Sequence, residues 1–284
     1  MAASKHAVAS GAREIVARPP GEFDASGPAW DGLSRCIDTD VIPRLVLARR
    51  AMRETTRTDG TQPVHADVDA FANLVLTRDA VTARDFVRRL RDGGASLEQV
   101  YLDLLSPTAR RIGEWWVEDS CDFADVTVAL GNLQQVLHDV ATMFQADLPP
   151  VENGPRVLLV PVPGEQHSFG LTIVGEFFRH AGWDVWTEPR IAAGRDVVQL
   201  ARQQWLDVIG LSVASDVRVD GLARGIRAIR RASRNRGIGI LVGGPVFVKH
   251  PELVSHVGAD ATAIDGGQAP MQAQNVLALL AHRR

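Results

Sequence analysis

The chain has 284 residues, 45% hydrophobic and 23% charged, enough for one large or two ordinary domains with sizeable cores. The net charge is −3 and the pI about 6.2, so no global basic field points to nucleic acid. Cys36 and Cys121 lie too far apart for a CxxC metal site or a disulfide framework, and no run of 18 apolar residues or apolar signal core occurs, so the expectation is a soluble, cytoplasmic protein with no membrane contact.

Residues 1–28 are rich in Ala, Ser, Gly and Pro and read as a disordered leader. Residues 29–62 read as a helical extension, with Leu33–Met52 in helical spacing, Pro43 as a kink, and 55–64 as a loop. Residues 63–146 read as a four-helix bundle. Its expected helices are Asp67–Thr77, one capped by Thr82 and ended by Gly93-Gly94, one opened by a Ser96/Gln99 capping box and running to Trp115-Trp116, and Asp125–Phe144.

Residues 147–155 (DLPPVENGP) read as a linker. Beyond them the texture changes to short apolar runs separated by amphipathic stretches. The runs at 156–162, 183–187, 207–213, 238–242 and 259–264 predict strands. The stretches Phe169–Ala181, Asp196–Gln204, Asp220–Arg234, Pro251–His256 and Gln268–His282 predict helices. Continuous apolar strands alternating with helices imply a parallel sheet covered on both faces. The fold class is therefore α/β: an N-terminal helical bundle followed by a flavodoxin-like, doubly wound, five-stranded parallel sheet over residues 156–284. The basic cluster Arg224–Arg236 has helical spacing and reads as a solvated face.

In such a domain the ligand binds beyond the carboxyl ends of the strands. The loop there, Pro161-Val-Pro-Gly-Glu-Gln-His-Ser-Phe-Gly170, is neither a P-loop nor a GxGxxG turn. It presents Glu165, His167 and Gly170 as ExHxxG. A neutral imidazole suits a transition metal, a nearby carboxylate fixes its tautomer, and a glycine admits a bulky ligand close to the backbone. One His and one Glu do not hold a bare metal, whereas a macrocycle with its own equatorial nitrogens needs only an axial ligand. A lone histidine in a βα loop is more often a solvated side chain, but two further features follow in order: Ser212, with Ala214 and Ser215, ends the third strand, and Gly243-Gly244 ends the fourth.

With these residues in hand, 156–284 resembles the cobalamin-binding domain of methionine synthase, methylmalonyl mutase and their relatives. The resemblance implies that His167 is the lower axial ligand of cobalt, replacing the cofactor's benzimidazole. It also implies that Ser212 and Gly243-Gly244 line the channel for the displaced nucleotide tail; Ala214 departs from the Leu common there. Glu165, Gln166, Ser168, Gly170 and Ser215 complete the implied contact set. The stretch Leu90–Leu105 with Arg111-Ile-Gly-Glu-Trp-Trp116 resembles the four-helix cap over the upper corrin face. Light-sensing regulators of the CarH type carry Glu-His ten residues after the cap tryptophan; here that place holds Val126-Thr127. This departure, with Ile42-Pro43-Arg44-Leu45, resembles the AerR/PpaA group of purple photosynthetic bacteria. Trp115 and Trp116 each read either as bundle core or as the shield of the upper face. His138, about 16 Å along its helix from Thr127, is a poor upper ligand.

The resemblance implies a cobalamin-binding (adenosyl- or hydroxocobalamin), light- or redox-responsive antirepressor that is not an enzyme. Its implied partner is a transcriptional repressor of photosynthesis genes of the CrtJ/PpsR type, with DNA contacted only indirectly or weakly. Two alternatives stay open: a corrinoid carrier for methyl transfer, and a haem-binding redox sensor. The tail-channel residues favour cobalamin over haem, which has no such tail.

Overall fold

The computed structural model describes residues 65–77, 80–146, 148, 154–163, 165, 168–187, 197–214 and 219–282. The leader, the helical extension with its Pro43 kink, most of the linker, and Gln166, His167 and Ser215 lie outside the described residues. The helical part contains α1 (His65–Leu76), α2 (Ala80–Asp92), a π-helical segment (Gln99–Leu105) continuous with α3 (Ser106–Val117), and α4 (Phe123–Gln145). Their shared core is built from Phe71, Val75, Val87, Tyr101, Leu104, Ile112, Leu133 and Val136, all at most 1% exposed.

Local chemistry explains most of the boundaries. The Ser96/Gln99 capping box is present, with Gln99 N–H donating to Ser96 Oγ (3.2 Å) and Ser96 N–H to Gln99 Oε1 (2.7 Å). A second capping box, Asp122 with Asp125, opens α4. Gly94 ends the second helix at φ 91°, a left-handed position that favours glycine. Thr82 is not the N-cap: α2 begins at Ala80, so Thr82 lies within its first turn. The π-helical turns were not expected, since a wider helix leaves no mark in the spacing of apolar residues.

The second part alternates β1 (Arg156–Pro161), α5 (Phe169–His180), β2 (Asp184–Thr187), α6 (Val197–Gln203), β3 (Val208–Ser212), α7 (Val219–Ala232), β4 (Gly239–Gly243), α8 (Pro245–Lys249), α9 (Leu253–Val257), β5 (Ala261–Thr262) and α10 (Ala269–His282). All strands pair in parallel in the order β2-β1-β3-β4-β5, the doubly wound order the sequence implied. One face of the sheet buries Leu158, Val160, Ile209 and Ile240 with Ile226 and Ile229 of α7. The other buries Val157, Leu159, Val208 and Leu241 with Phe178 of α5 and Ala273 and Val276 of α10. Helix α8 follows Gly243-Gly244; Pro245 starts it, at a position where a missing N–H costs nothing. No helix among the described residues is long and apolar enough to cross a membrane.

Helix α5 is buried on two sides. Phe178 goes to the sheet, whereas Ile173 and Phe177 join the core of the helical part. At its carboxyl end Glu176, 3% exposed, accepts from Gln145 Nε2 of α4 (2.8 Å) and pairs with Arg179. Tyr101 stacks edge-on to Phe177, ring centroids 5.8 Å apart. Burial, reinforced by the Glu176 charge, pushes the Tyr101 phenol well above its ordinary range, so it stays neutral.

His180, at the same junction, lies beside Phe144 and has a buried Nε2 without a hydrogen-bond partner. Burial lowers its pKa below the ordinary 6.5, against the opposing pull of Glu176. The folded state therefore binds this proton less tightly than the unfolded chain. The His180 contribution to stability is whole above pH 6.5 and is lost as pH falls below that value toward the lower folded pKa. Thermal melts of wild type and His180→Asn should accordingly converge as pH is lowered through that window; parallel curves would refute the assignment.

Candidate functional site: the carboxyl edge of the sheet

The sequence signals near 161, 212 and 243 meet in one row. Parallel pairing sets Pro161 beside Ser212, and Ser212 beside Gly243. The row is locked just past the strand ends: Val162 N–H donates to Ser212 O (3.1 Å) and Val213 N–H to Gly243 O (2.9 Å). These are the carboxyl ends of β1, β3 and β4, where ligands of doubly wound sheets bind.

Glu165 is 7% exposed, and its Oε2 accepts the backbone N–H of Ala214 at 2.8 Å. A buried carboxylate needs such partners, and this bond ties the motif loop to the loop after β3. The side chain is thus held rigidly two residues before His167. The Ala214 contact was invisible in the sequence, because it is made by a backbone amide that any residue supplies.

The glycines divide by role. Among the described residues, a Cβ at Gly170, in the first turn of α5, or at Gly243 would meet nothing within 4 Å. Both face open space, as a passage for a bulky ligand requires. Gly244 is different: its φ is 115°, and an added Cβ would lie 2.0 Å from the carbonyl oxygen of Val213. It is required by the close approach of two backbones, so its role is to build the edge. Ser168 is the exposed residue before α5, and its carbonyl accepts from the Thr172 N–H at 3.0 Å. On the neighbouring strand β5, Thr262 Oγ1 is buried without a partner.

In the helical part the two tryptophans separate. Trp115 is half-buried against the bundle core, with the Arg111 guanidinium 5.3 Å from its ring centre. Trp116 is 53% exposed and is the one the bundle leaves uncovered. Val126 packs partly against the core, while the Thr127 hydroxyl donates to Phe123 O within its own helix (2.7 Å). His138 is exposed. The π-helical segment approaches the β5–α10 loop, since a Cβ on Gly267 would meet Leu102 at 3.4 Å.

These observations fit a corrinoid with a long polar tail. The edge has open space at Gly170 and Gly243, a buried unpaired hydroxyl on Thr262, and a carboxylate fixed beside the motif histidine's place in the chain. A helical part packed on a doubly wound sheet with this edge defines a corrinoid-protein architecture. Residues 155–273 match the model of the B12 binding domain. The chain belongs to the B12-binding family, and cobalamin is its cofactor. It is 32% identical over 172 residues to an uncharacterized 20.5 kDa protein in the bchF-crtJ intergenic region of Rhodobacter capsulatus, covering 60% of this chain and 87% of that one. It is 25% identical over 137 residues to dimethylamine corrinoid protein 3 of Methanosarcina acetivorans, covering 48% of this chain and 63% of the relative. The monomethylamine corrinoid protein of Methanosarcina barkeri shares the fold: TM-score 0.59 at 13% identity, over 74% of this chain and 97% of that structure.

Proposed function

We propose that this chain is a cobalamin-dependent regulator that reports light or redox state to a transcriptional repressor of photosynthesis genes, and that it is not itself an enzyme. The observation that carries this reading is the similarity, along 87% of its length, to a protein whose name places it between bchF and crtJ. Cobalamin supplies a cobalt centre whose upper ligand changes with light or redox state. The chain's own residues hold and shield it. His167 would hold the cobalt, Glu165 would orient that imidazole, Ser212 and Gly243 would border the nucleotide tail, and Trp116 would shield the corrin. Val126-Thr127 bring no imidazole from α4, so a second ligand to the cobalt would come from outside these positions.

A carrier of methyl groups is the second reading, favoured by the fold shared with the monomethylamine corrinoid protein and by the similarity to a dimethylamine corrinoid protein. Haem is the third, weaker because it has no tail for the Ser212–Gly243 edge. Pull-down of a CrtJ/PpsR-type repressor by the full chain, with and without cobalamin, in dark and light, separates them. Regulation requires an interaction that depends on the cofactor and its illumination; no interaction under any condition transfers the assignment to the carrier.

Glu165→Gln tests the orienting role. It preserves shape and an oxygen for the Ala214 N–H but removes the charge. Cobalamin affinity is expected to drop by about 10- to 100-fold, the usual cost of losing a partner behind a metal ligand. Unchanged affinity in a spectroscopic titration would remove Glu165 from that role.

A further inference from the structure

The basic cluster in α7 has a more definite form than a solvated face. Leu222, Ala223, Ile226 and Ile229 point into the sheet core. On the opposite side Arg224, Arg227 and Arg231 are exposed, and Arg234 continues the line past the helix end. Among the described residues no ion pair reaches these four; the nearby Arg230 is instead paired with Asp260 at 2.9 Å. Helix α6 packs alongside, and the Arg234 N–H bonds Ala201 O (2.9 Å), which brings exposed Arg202 to the same surface.

A solvated helix face ordinarily mixes signs. Like charges three and four residues apart destabilise a helix by roughly 0.2–0.5 kcal/mol per pair. Among the described side chains no carboxylate pairs with this stripe, in a protein whose net charge is −3. Arg224, Arg227 and Arg231 span about 10 Å of helix axis at 1.5 Å per residue. One strand of duplex DNA presents about three phosphates in that length, at 3.4 Å each.

We infer that the outer face of α7 is a docking surface for the phosphate backbone of double-stranded DNA. Between the arginines the exposed positions hold no large apolar side chain. A protein interface would be expected to place aromatic or aliphatic anchors at its centre, whereas phosphate contact needs only forked cationic donors. A membrane surface is disfavoured because the apolar face of α7 is already spent on the core. The contact is independent of sequence and goes beyond the regulatory reading, in which DNA is reached through a partner.

The test is fluorescence anisotropy of a labelled random-sequence duplex with the full-length, cobalamin-loaded protein over a salt series. Wild type should bind at low salt. The variant R224A/R227A/R231A should show a salt slope shallower by about 2.7, or 0.9 per arginine removed. R224Q/R227Q/R231Q, which keeps side-chain length, should behave alike. An unaltered cobalamin spectrum and thermal melt in both variants would show that fold and cofactor site are untouched. Absence of duplex binding by wild type, or an unchanged slope in folded variants, overturns the inference. Tighter binding of polyglutamate or anionic vesicles than of DNA overturns it in favour of those partners. Because the readout needs no repressor, its failure is distinct from failure of the regulatory proposal.

Discussion

Gly244→Ala is expected to collapse the carboxyl edge of the sheet and to lower stability by about 4 kcal/mol. Two costs combine. The backbone at φ 115°, ψ 167° lies in a region that is essentially glycine-only and costs roughly 1–3 kcal/mol for other residues. The new Cβ would also lie 2.0 Å from Val213 O, a backbone atom that has no rotamer through which to withdraw. Overpacking of this kind costs a further 1–3 kcal/mol or so. Against a typical total of about 5–15 kcal/mol, that is enough to unfold a marginal domain. Urea melts should show the midpoint displaced far toward low denaturant. The adjacent Gly243→Ala is the control: its Cβ meets none of the described residues within 4 Å, so stability should stay within about 0.5 kcal/mol. Gly243→Ala should instead weaken cobalamin binding, because it narrows the space left for the tail. Equal stability of the two variants would refute the division of roles between the paired glycines.

His167→Ala is expected to remove the lower ligand of cobalt. Losing a residue behind a metal ligand already costs about 10- to 100-fold in affinity, so losing the ligand itself should cost at least that. Hydroxocobalamin mixed with wild-type protein should give the spectrum of a corrinoid with an imidazole on its lower face. The variant should bind weakly or retain the cofactor's own benzimidazole, with a clearly shifted spectrum. Added imidazole should partly restore the wild-type bands. A variant with unchanged spectrum and affinity would disprove the axial assignment. Glu165→Gln offers a graded comparison, since it weakens the second partner while leaving His167 in place. The edge at Ser212 and Gly243 should survive both substitutions, because backbone pairing builds it without either side chain.

Most of the architecture was legible because it rests on local rules. Apolar runs of strand length with helices between them announced the parallel sheet, and each of the five strands lies within or one residue beyond its expected run. The Ser96/Gln99 box was readable because both partners lie three residues apart. The Asp122/Asp125 box obeys the same rule and was missed only because no Ser or Thr announced it. Trp115 and Trp116 were ambiguous for a different reason. Adjacent residues on a helix point about 100° apart, so one must be more buried than the other, but which one depends on where the neighbouring helices lie.

By itself the sequence determined the fold class, the strand order's likeness to the flavodoxin plan, and the motif residues that point to a corrinoid. Periodicity, caps and short motifs are carried by residues close together in the chain, and no tertiary context is needed to read them. Only the tertiary structure decided that Pro161, Ser212 and Gly243 share one row, that Ala214 holds Glu165, that Gly244 serves the backbone while Gly243 faces open space, and that α7 turns a line of arginines outward. These depend on strand register, on backbone amides and on which helix face the core claims. All three are settled between segments tens of residues apart, where residue type alone carries no instruction.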